Sequence, residues 1–345
     1  MSNGLSFGGK RELLARGLLW SGASLLLSHL PARDSLLVLN YHRIGNPDED
    51  LFDPGVFSAT AEEFDRQIGY LKRRVSLVTL EEALSFVDGS IKEKKSRCRV
   101  LITFDDGYLD NYRIAFPILQ SHGAQGVFFL ATSMVGSCHV PWWDHIAYLI
   151  KTARKPRFSV SYPTSLDVDI NKDGVMESVQ AVLRSYKNPQ NHDTAHFIQL
   201  LQESSMGEDP PKTMRRFLSW EEAREMCNAG MAFGSHAHSH RVLSQLDPSQ
   251  QREELSTSRA ILKQQLGVAA DVLAYPVGHK SSFSVETQRI AQELGYRNAF
   301  SHHGGMNLRG KTFPYDVKRT KMVNQSWGRF RVQAEVYHSM GCYWP

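Results

Sequence analysis

Apolar runs alternate along this chain with segments of helical periodicity, and polar stretches containing glycine or proline separate them. "SLLVLNYH" reads as a buried strand ending at Tyr41 and His42. After the loop "RIGNPDEDLFDPG", a helical pattern runs from Thr60 to Arg74. "SLVTLEEALSFV" predicts a short strand and a second helix, with Thr79 as N-cap and Glu82 placed to complete a capping box. "RVLITFDDG", Arg99 to Gly107, passes abruptly from apolar residues into acids and glycine. That is the pattern of a buried strand whose end opens into a functional site.

The same order then repeats. A helical stretch around Asn111 to Ser121 leads into the apolar strand "AQGVFFLAT". "FLSWEEAREMCNAG" predicts a helix capped by Ser219 and ending near Gly230, followed by the short apolar "MAFG". Ser249 to Leu266 reads as a helix, "DVLAYP" as a strand, and "VETQRIAQELG" as a helix before "YRNAF". Strands alternating with helices predict an α/β architecture rather than an all-helical or sandwich fold. Residues 136–216 interrupt the alternation with "WWDHIAYLI", a polar middle and a helix around His192 to Glu203. This segment reads as an insertion suited to cap one end of a barrel. Within it, Asp169, Asn171, Asp173 and Gly174 match the first half of a calcium loop. The twelfth position is Gln180 rather than glutamate, and no clear helix precedes the loop, so a surface turn is expected.

With 345 residues the chain can bury a full α/β core. A net charge of +4, with scattered Lys and Arg and no zinc-finger or RNA-binding signature, points away from nucleic acid. The four cysteines, Cys98, Cys138, Cys227 and Cys342, lie far apart, as unpaired thiols in a reducing compartment do. "RELLARGLLWSGASLLLSHL", Arg11 to Leu30, is strongly apolar, but its uncharged core is too short to span a bilayer. It lacks the cleavage pattern of a standard signal peptide. An amphipathic helix is expected there, packed on the protein or resting on a membrane surface, with an atypical export signal as the third reading.

Two clusters carry chemistry. Asp105 and Asp106 stand at the end of their strand, where adjacent side chains point in different directions. One can bind a metal while its neighbour approaches a water. In "GSHAHSH", a strand would align His236, His238 and His240, whereas one helical turn would pair only His236 with His240. Carboxylate and imidazole together suit zinc, cobalt, nickel or iron. A third stretch, "LAYPVGH", offers a proline–glycine turn whose N–H groups could face an oxyanion.

In that order, "TFDDGY", "GSHAHSH" and "AYPVG" resemble the motifs of the polysaccharide deacetylase family, also called the NodB-homology family or carbohydrate esterase family 4. The family-like context runs from about Leu36 to Met322. The resemblance implies an irregular (β/α) barrel of about seven strands. It would occupy residues 35–345, carry the mainly helical insertion 136–216, and follow an N-terminal segment 1–34. The resemblance assigns Asp105 as general base and Asp106, His236 and His240 as ligands of one divalent ion, with zinc expected and cobalt, nickel or iron as alternatives. His238 falls at a variable position. Tyr275, Pro276 and Gly278 keep the third motif's turn, and the Val277 N–H matches the oxyanion donor.

The sequence also departs from the family pattern. Ala237 replaces a bracing serine or threonine, Arg241 stands where proline is common, and Ala274 replaces the arginine that orients the base. Arg241 and Arg319 are candidate substitutes for that arginine. The late leucine–variable–histidine motif is absent; "SHHGGMN" supplies nearby imidazoles, and His303 is the candidate proton donor, with His42 behind it. Trp142 and Trp143 would stack on sugar rings or anchor the insertion.

The expected activity is removal of acetyl groups from an N-acetylated carbohydrate, such as a polysaccharide precursor or lipid-linked saccharide. The expected location is the cytoplasm, with peripheral membrane contact through the N-terminal helix. Two alternatives are a carbohydrate O-acetyl esterase and a carbohydrate-binding scaffold with an impaired site.

Overall fold

The computed structural model describes residues 34–91, 98–187, 193–211 and 213–340. The expected N-terminal helix therefore lies outside the described residues. Seven strands form the centre: β1 (Ser35–Tyr41), β2 (Cys98–Asp106), β3 (Gly126–Leu130), β4 (Ala232–Ser235), β5 (Val272–Ala274), β6 (Asn298–Ser301) and β7 (Val317–Lys321). Each pairs in parallel with its neighbours in sequence, and β1 pairs with both β7 and β2, so the sheet closes into a barrel. The β1–β2 seam is long, running from Ser35 opposite Cys98 to Tyr41 opposite Phe104. Short strands flank the closure at Ser76–Leu77, parallel to β2, and Asn307–Leu308, antiparallel to β1.

Every residue of β1 and β2 is buried, as a strand covered on both faces requires. Alternation sorts the side chains. Leu37, Leu39, Tyr41, Val100, Ile102 and Phe104 share one apolar cluster with Phe64, Ile68 and Phe116 of the surrounding helices. Leu36, Val38, Leu101, Val127, Phe129, Val272 and Val317 belong to a second, inside the barrel. Continuing the inward parity along β1, β2 and β7 brings Asn40, Thr103, Asp105 and Arg319 towards the carboxyl ends of the strands, into the same interior.

The outer helices begin where local hydrogen bonding favours it. α1 (Ala61–Arg74) and α2 (Leu80–Val87) carry capping boxes from Thr60 with Glu63 and Thr79 with Glu82. α3 (Phe116–His122) continues from a π-helical turn at Asn111–Ala115 and stops at Gly123, whose backbone is left-handed. The insertion carries α4 (Trp142–Lys151), α5 (Val175–Lys187) and α6 (Thr194–Ser205), with a hairpin of Arg157–Val160 and Leu166–Asp169. Its polar middle holds a single helical turn, Ile170–Asp173, capped by the Asp169 carboxylate at the Lys172 N–H. α7 (Trp220–Asn228), α8 (Pro248–Leu266), α9 (Val285–Glu293) and α10 (Trp327–Met340) complete the shell. The insertion has its own apolar core, in which Trp143, Ile146, Val182 and Phe197 join Tyr108 and Phe217 of the barrel side. No helix among the described residues is long and apolar enough to cross a membrane.

Candidate active site

Strand parity places Asp105 inward, and by alternation alone Asp106 would point out of the barrel. The backbone prevents this: Asp106 takes φ 71°, a left-handed conformation that turns its carboxylate back. Ala237 and His240 likewise sit at φ 60°, and Val277 at φ 64°. Such conformations cost about 1–3 kcal/mol each and persist where surrounding packing imposes them. Here all four belong to the three motif loops at the strand ends.

The result is convergence. Asp106, His236 and His240 each offer a donor atom, and these atoms lie within 4.8 Å of one another. His240 Nε2 is 3.3 Å and His236 Nε2 3.6 Å from Asp106 Oδ1. Donors arranged tetrahedrally about an ion at about 2.1 Å stand about 3.4 Å apart, so these spacings fit a zinc-like cation. Asp106 Oδ1 is buried without an aligned hydrogen-bond partner, a costly state that a cation relieves. His236 Nδ1 bonds the Ala274 carbonyl at 2.8 Å, which fixes the ring and directs Nε2 inward. His238 lies outside the cluster and instead meets Thr132 Oγ1 at 2.9 Å.

The loop holding these histidines lacks a hydroxyl at Ala237, and a residue from α8 compensates. The buried Glu254 carboxylate accepts from the N–H groups of His238 (3.0 Å) and Ser239 (2.8 Å) and from the Ser239 hydroxyl. Trp143 of α4 lies against the other side, its ring centroid 5.0 Å from that of His240. Its indole N–H donates to the Tyr108 hydroxyl at 2.8 Å, and that hydroxyl donates to Asp144 at 3.3 Å. Asp144 is completed by Arg216 at 2.7 Å and the Asp53 N–H at 3.0 Å.

Asp105 stands 3.8 Å from His236 Nε2 and belongs to a different network. Arg319 donates to both of its oxygens, at 2.7 and 2.8 Å, and Asn40 Nδ2 donates at 3.0 Å. Arg319 also donates to Asn40 Oδ1 (3.0 Å) and the Ser301 carbonyl (3.1 Å), so its geometry is fixed. Burial opposes ionisation of Asp105, but the charges of Arg319 and His236 outweigh it and hold the carboxyl far below the usual range. For Asp106, burial is likewise outweighed, by the close His240 imidazole and then by the charges of His42 and His236. Burial also dominates at His236 and pushes its imidazole down to about 4. Of the two candidate substitutes for the arginine missing at Ala274, Arg319 grips Asp105, whereas Arg241 is exposed and bonds neither aspartate.

The third motif forms a γ-turn in which Gly278 N–H donates to the Pro276 carbonyl at 2.7 Å around Val277. The Val277 N–H meets no acceptor among the described residues. Gly278 has φ +68°, and a Cβ there would come within 2.6 Å of the His302 Cβ, so glycine is required. The Tyr275 side chain is fully buried, stacked on Phe283 with its hydroxyl bonded to the Tyr315 carbonyl, so only its backbone serves the turn.

The two histidines after β6 diverge. His303 bonds Asp316 at 2.8 Å. His302 faces His42 and His279, with ring centroids 6.1 and 6.0 Å away, and its Nε2 is buried without a partner. Burial first, then the positive charge of Arg319, pushes the His302 imidazole well below its usual range. Trp143 is 7% exposed and Trp142 half-buried between Tyr186 and Trp143.

Asn40 and Glu254 were not singled out by the sequence. Asn40 left a usable signal, a lone amide at an inward position of an apolar strand. Glu254 left none, because a glutamate within a charged helix ordinarily faces solvent.

A closed parallel barrel with a carboxylate–imidazole triad at the carboxyl ends of its strands defines a metal-centred α/β fold. The sequence model of the family described as polysaccharide deacetylase matches residues 92–299, more than half of the chain. The chain belongs to that family. It is 21% identical over 262 residues to the putative polysaccharide deacetylase YxkH of Bacillus subtilis (strain 168), covering 76% of this chain but only 62% of that relative. Among solved structures, the Streptococcus pyogenes deacetylase PplD in complex with acetate aligns with a TM-score of 0.56 at 18% identity, over 88% of this chain and 98% of that one. IcaB from Ammonifex degensii aligns with a TM-score of 0.55 at 23% identity, over 89% and 98%. At these identities the structural likeness establishes the fold.

Proposed function

We propose that the chain is a metal-dependent deacetylase that hydrolyses the acetyl amide of an N-acetylated carbohydrate. One observation carries the reading: the Asp106–His236–His240 triad lies beside a second buried carboxylate, Asp105, which Arg319 keeps ionised. A divalent cation, with zinc favoured by the two-imidazole, one-carboxylate donor set, supplies Lewis acidity for a carbonyl and acidifies water.

The chain's own groups do the rest. Asp105 accepts a proton from the attacking water while Arg319 and Asn40 hold its orientation. The Val277 N–H is offered to the oxyanion that develops on the acetyl group, a contribution worth about 3 kcal/mol in comparable sites. As the C–N bond breaks, the nitrogen must gain a proton. We assign this role to His303, whose ring is held by Asp316 at 2.8 Å; burial keeps the His302 imidazole neutral, without a proton to spare. The binding-only reading arose from Ala274 and from the missing late histidine motif; the Arg319–Asp105 pair answers the first of these. The free thiols Cys98, Cys138 and Cys227 support a reducing, cytoplasmic setting.

The test is acetate release by metal-loaded protein from paired N-acetylated and O-acetylated sugars, including short and lipid-linked saccharides. Turnover on the amides, lost on chelation and in Asp105→Asn with metal retained, is the expected result. Release from O-acetyl substrates alone would make the protein an esterase. Metal and sugar binding with no release from either class would end the enzyme reading.

A further inference from the structure

Resting on the deacetylase reading, one group of cations near the site has no role in the chemistry above. Lys321 is the last residue of β7, and strand alternation gives it the same inward parity as Arg319, which grips Asp105. Its register partner on β1 is Asn40, so it stands at the barrel rim over the base network. Lys187 is the last residue of α5 in the insertion, and its ammonium lies 5.7 Å from the Trp142 ring centroid. From there Trp142 packs on Trp143, and Trp143 on the ligand His240.

Barrel and insertion thus each present one lysine to the same mouth. Both residues are solvent-exposed, and neither ammonium forms an ion pair or hydrogen bond among the described residues. Surrounding protein desolvates both, and Lys187 further disfavours the charge on Lys321. The carboxylate acting on both is Asp53, which is buried and committed to the Gly55 N–H at 2.8 Å. Lys321 and Lys187 both act on His279, an exposed imidazole. Beside it, His302 and His42 each keep a buried ring nitrogen without a partner among the described residues. Lys187, Lys321 and the imidazoles of His279, His302 and His42 thus gather at the barrel mouth, and the carboxylate that acts on both lysines, Asp53, is a single charge already bonded elsewhere.

We propose that Lys187 and Lys321, together with His279, form a subsite for a phosphoryl group carried by the saccharide substrate. Two mutually repelling ammoniums are best compensated by a dianion. Lysine serves as a point-charge partner for tetrahedral phosphoryl oxygens, whereas a planar carboxylate is better matched by the arginine fork missing here. The subsite shares the mouth with Asp105 and His240, so the anion is part of the molecule being deacetylated rather than a separate ligand.

The test uses N-acetylglucosamine 1-phosphate and the neutral methyl glycoside as probes, with inorganic phosphate as competitor. Calorimetric binding to the metal-loaded protein and kcat/KM for acetate release are measured together. The phosphorylated sugar should bind about 10- to 100-fold more tightly than the neutral one, and the advantage should shrink as salt rises. Lys187→Gln with Lys321→Gln should erase the preference, and Lys187→Arg with Lys321→Arg should retain part of it, with thermal unfolding confirming that both variants are folded. Competition by inorganic phosphate that weakens in the glutamine variant supports the subsite.

A wild-type protein that treats both sugars alike, or a preference that survives the glutamine substitutions, overturns the proposal. Lysine-dependent binding without acetate release from any substrate would sustain the subsite and overturn the deacetylase reading. Acetate release without a lysine-dependent preference would do the reverse.

Discussion

Replacing Arg319 by methionine tests the electrostatic centre of the site. The guanidinium is fully buried and makes two charge-assisted bonds to Asp105, itself 2% exposed. The substitution keeps the apolar stem but leaves a buried carboxylate with Asn40 as its remaining side-chain donor. Breaking a buried pair in this way costs about 3–5 kcal/mol, a large share of the 5–15 kcal/mol that holds a typical domain together. The penalty must depend on pH. In the wild type the depressed pKa of Asp105 contributes stability above the ordinary carboxylate range, and that contribution fades as pH falls. Without Arg319 the burial effect dominates and raises the pKa, so the variant loses stability as pH rises through the new value.

Urea unfolding at pH 7 and pH 5 should therefore show a midpoint deficit that narrows at the lower pH. On metal-loaded protein, kcat/KM for acetate release should fall about 100-fold because the base is no longer oriented, and its acid limb should move upward. Arg319→Lys restores the charge but not the two-pronged contact, and should recover part of the stability. An Arg319→Met protein that unfolds at the wild-type urea concentration, with an unmoved acid limb, would refute the account of Asp105.

Three further outcomes follow from neighbouring features. Glu254→Ala removes the acceptor of three donors in the histidine loop and should weaken metal binding about 10- to 100-fold by competitive titration; unchanged affinity would show that the loop holds itself. Val277→Gly relieves a left-handed β-branched residue and should raise the thermal midpoint by the equivalent of about 1 kcal/mol, whereas a lower midpoint would mean that the side chain repays the strain. In metal-free protein, burial pushes His236 down from 6.5 to about 4, so its contribution is present above pH 6.5 and fades as pH falls towards 4. Urea unfolding should show about 3 kcal/mol lost across that window, and a flat profile would contradict a neutral, buried imidazole.

The strands were legible because they are uninterrupted apolar runs with punctuated ends, whereas their closure into a barrel came from the family resemblance. The helix starts at Thr60, Thr79 and Ser219 were legible because capping boxes are local. The metal triad needed the family resemblance, since periodicity left His238 open and alternation alone would have turned Asp106 outward. Its convergence depends on left-handed backbone at Asp106 and His240, which no side-chain pattern announces. Arg319 was one of two arginines consistent with the gap at Ala274, and only the β1–β7 register distinguishes it from Arg241. Glu254 stayed hidden because its role depends on partners distant in sequence.

The contact between Trp143 and His240 makes the insertion part of the cation's cage as well as a cover over the barrel. Exchanging that segment for the equivalent stretch of a relative would disturb metal retention together with sugar choice, unless Tyr108 and its indole partner travelled as a unit. Sugar choice and cation loading at this site therefore cannot be engineered independently through the 136–216 segment.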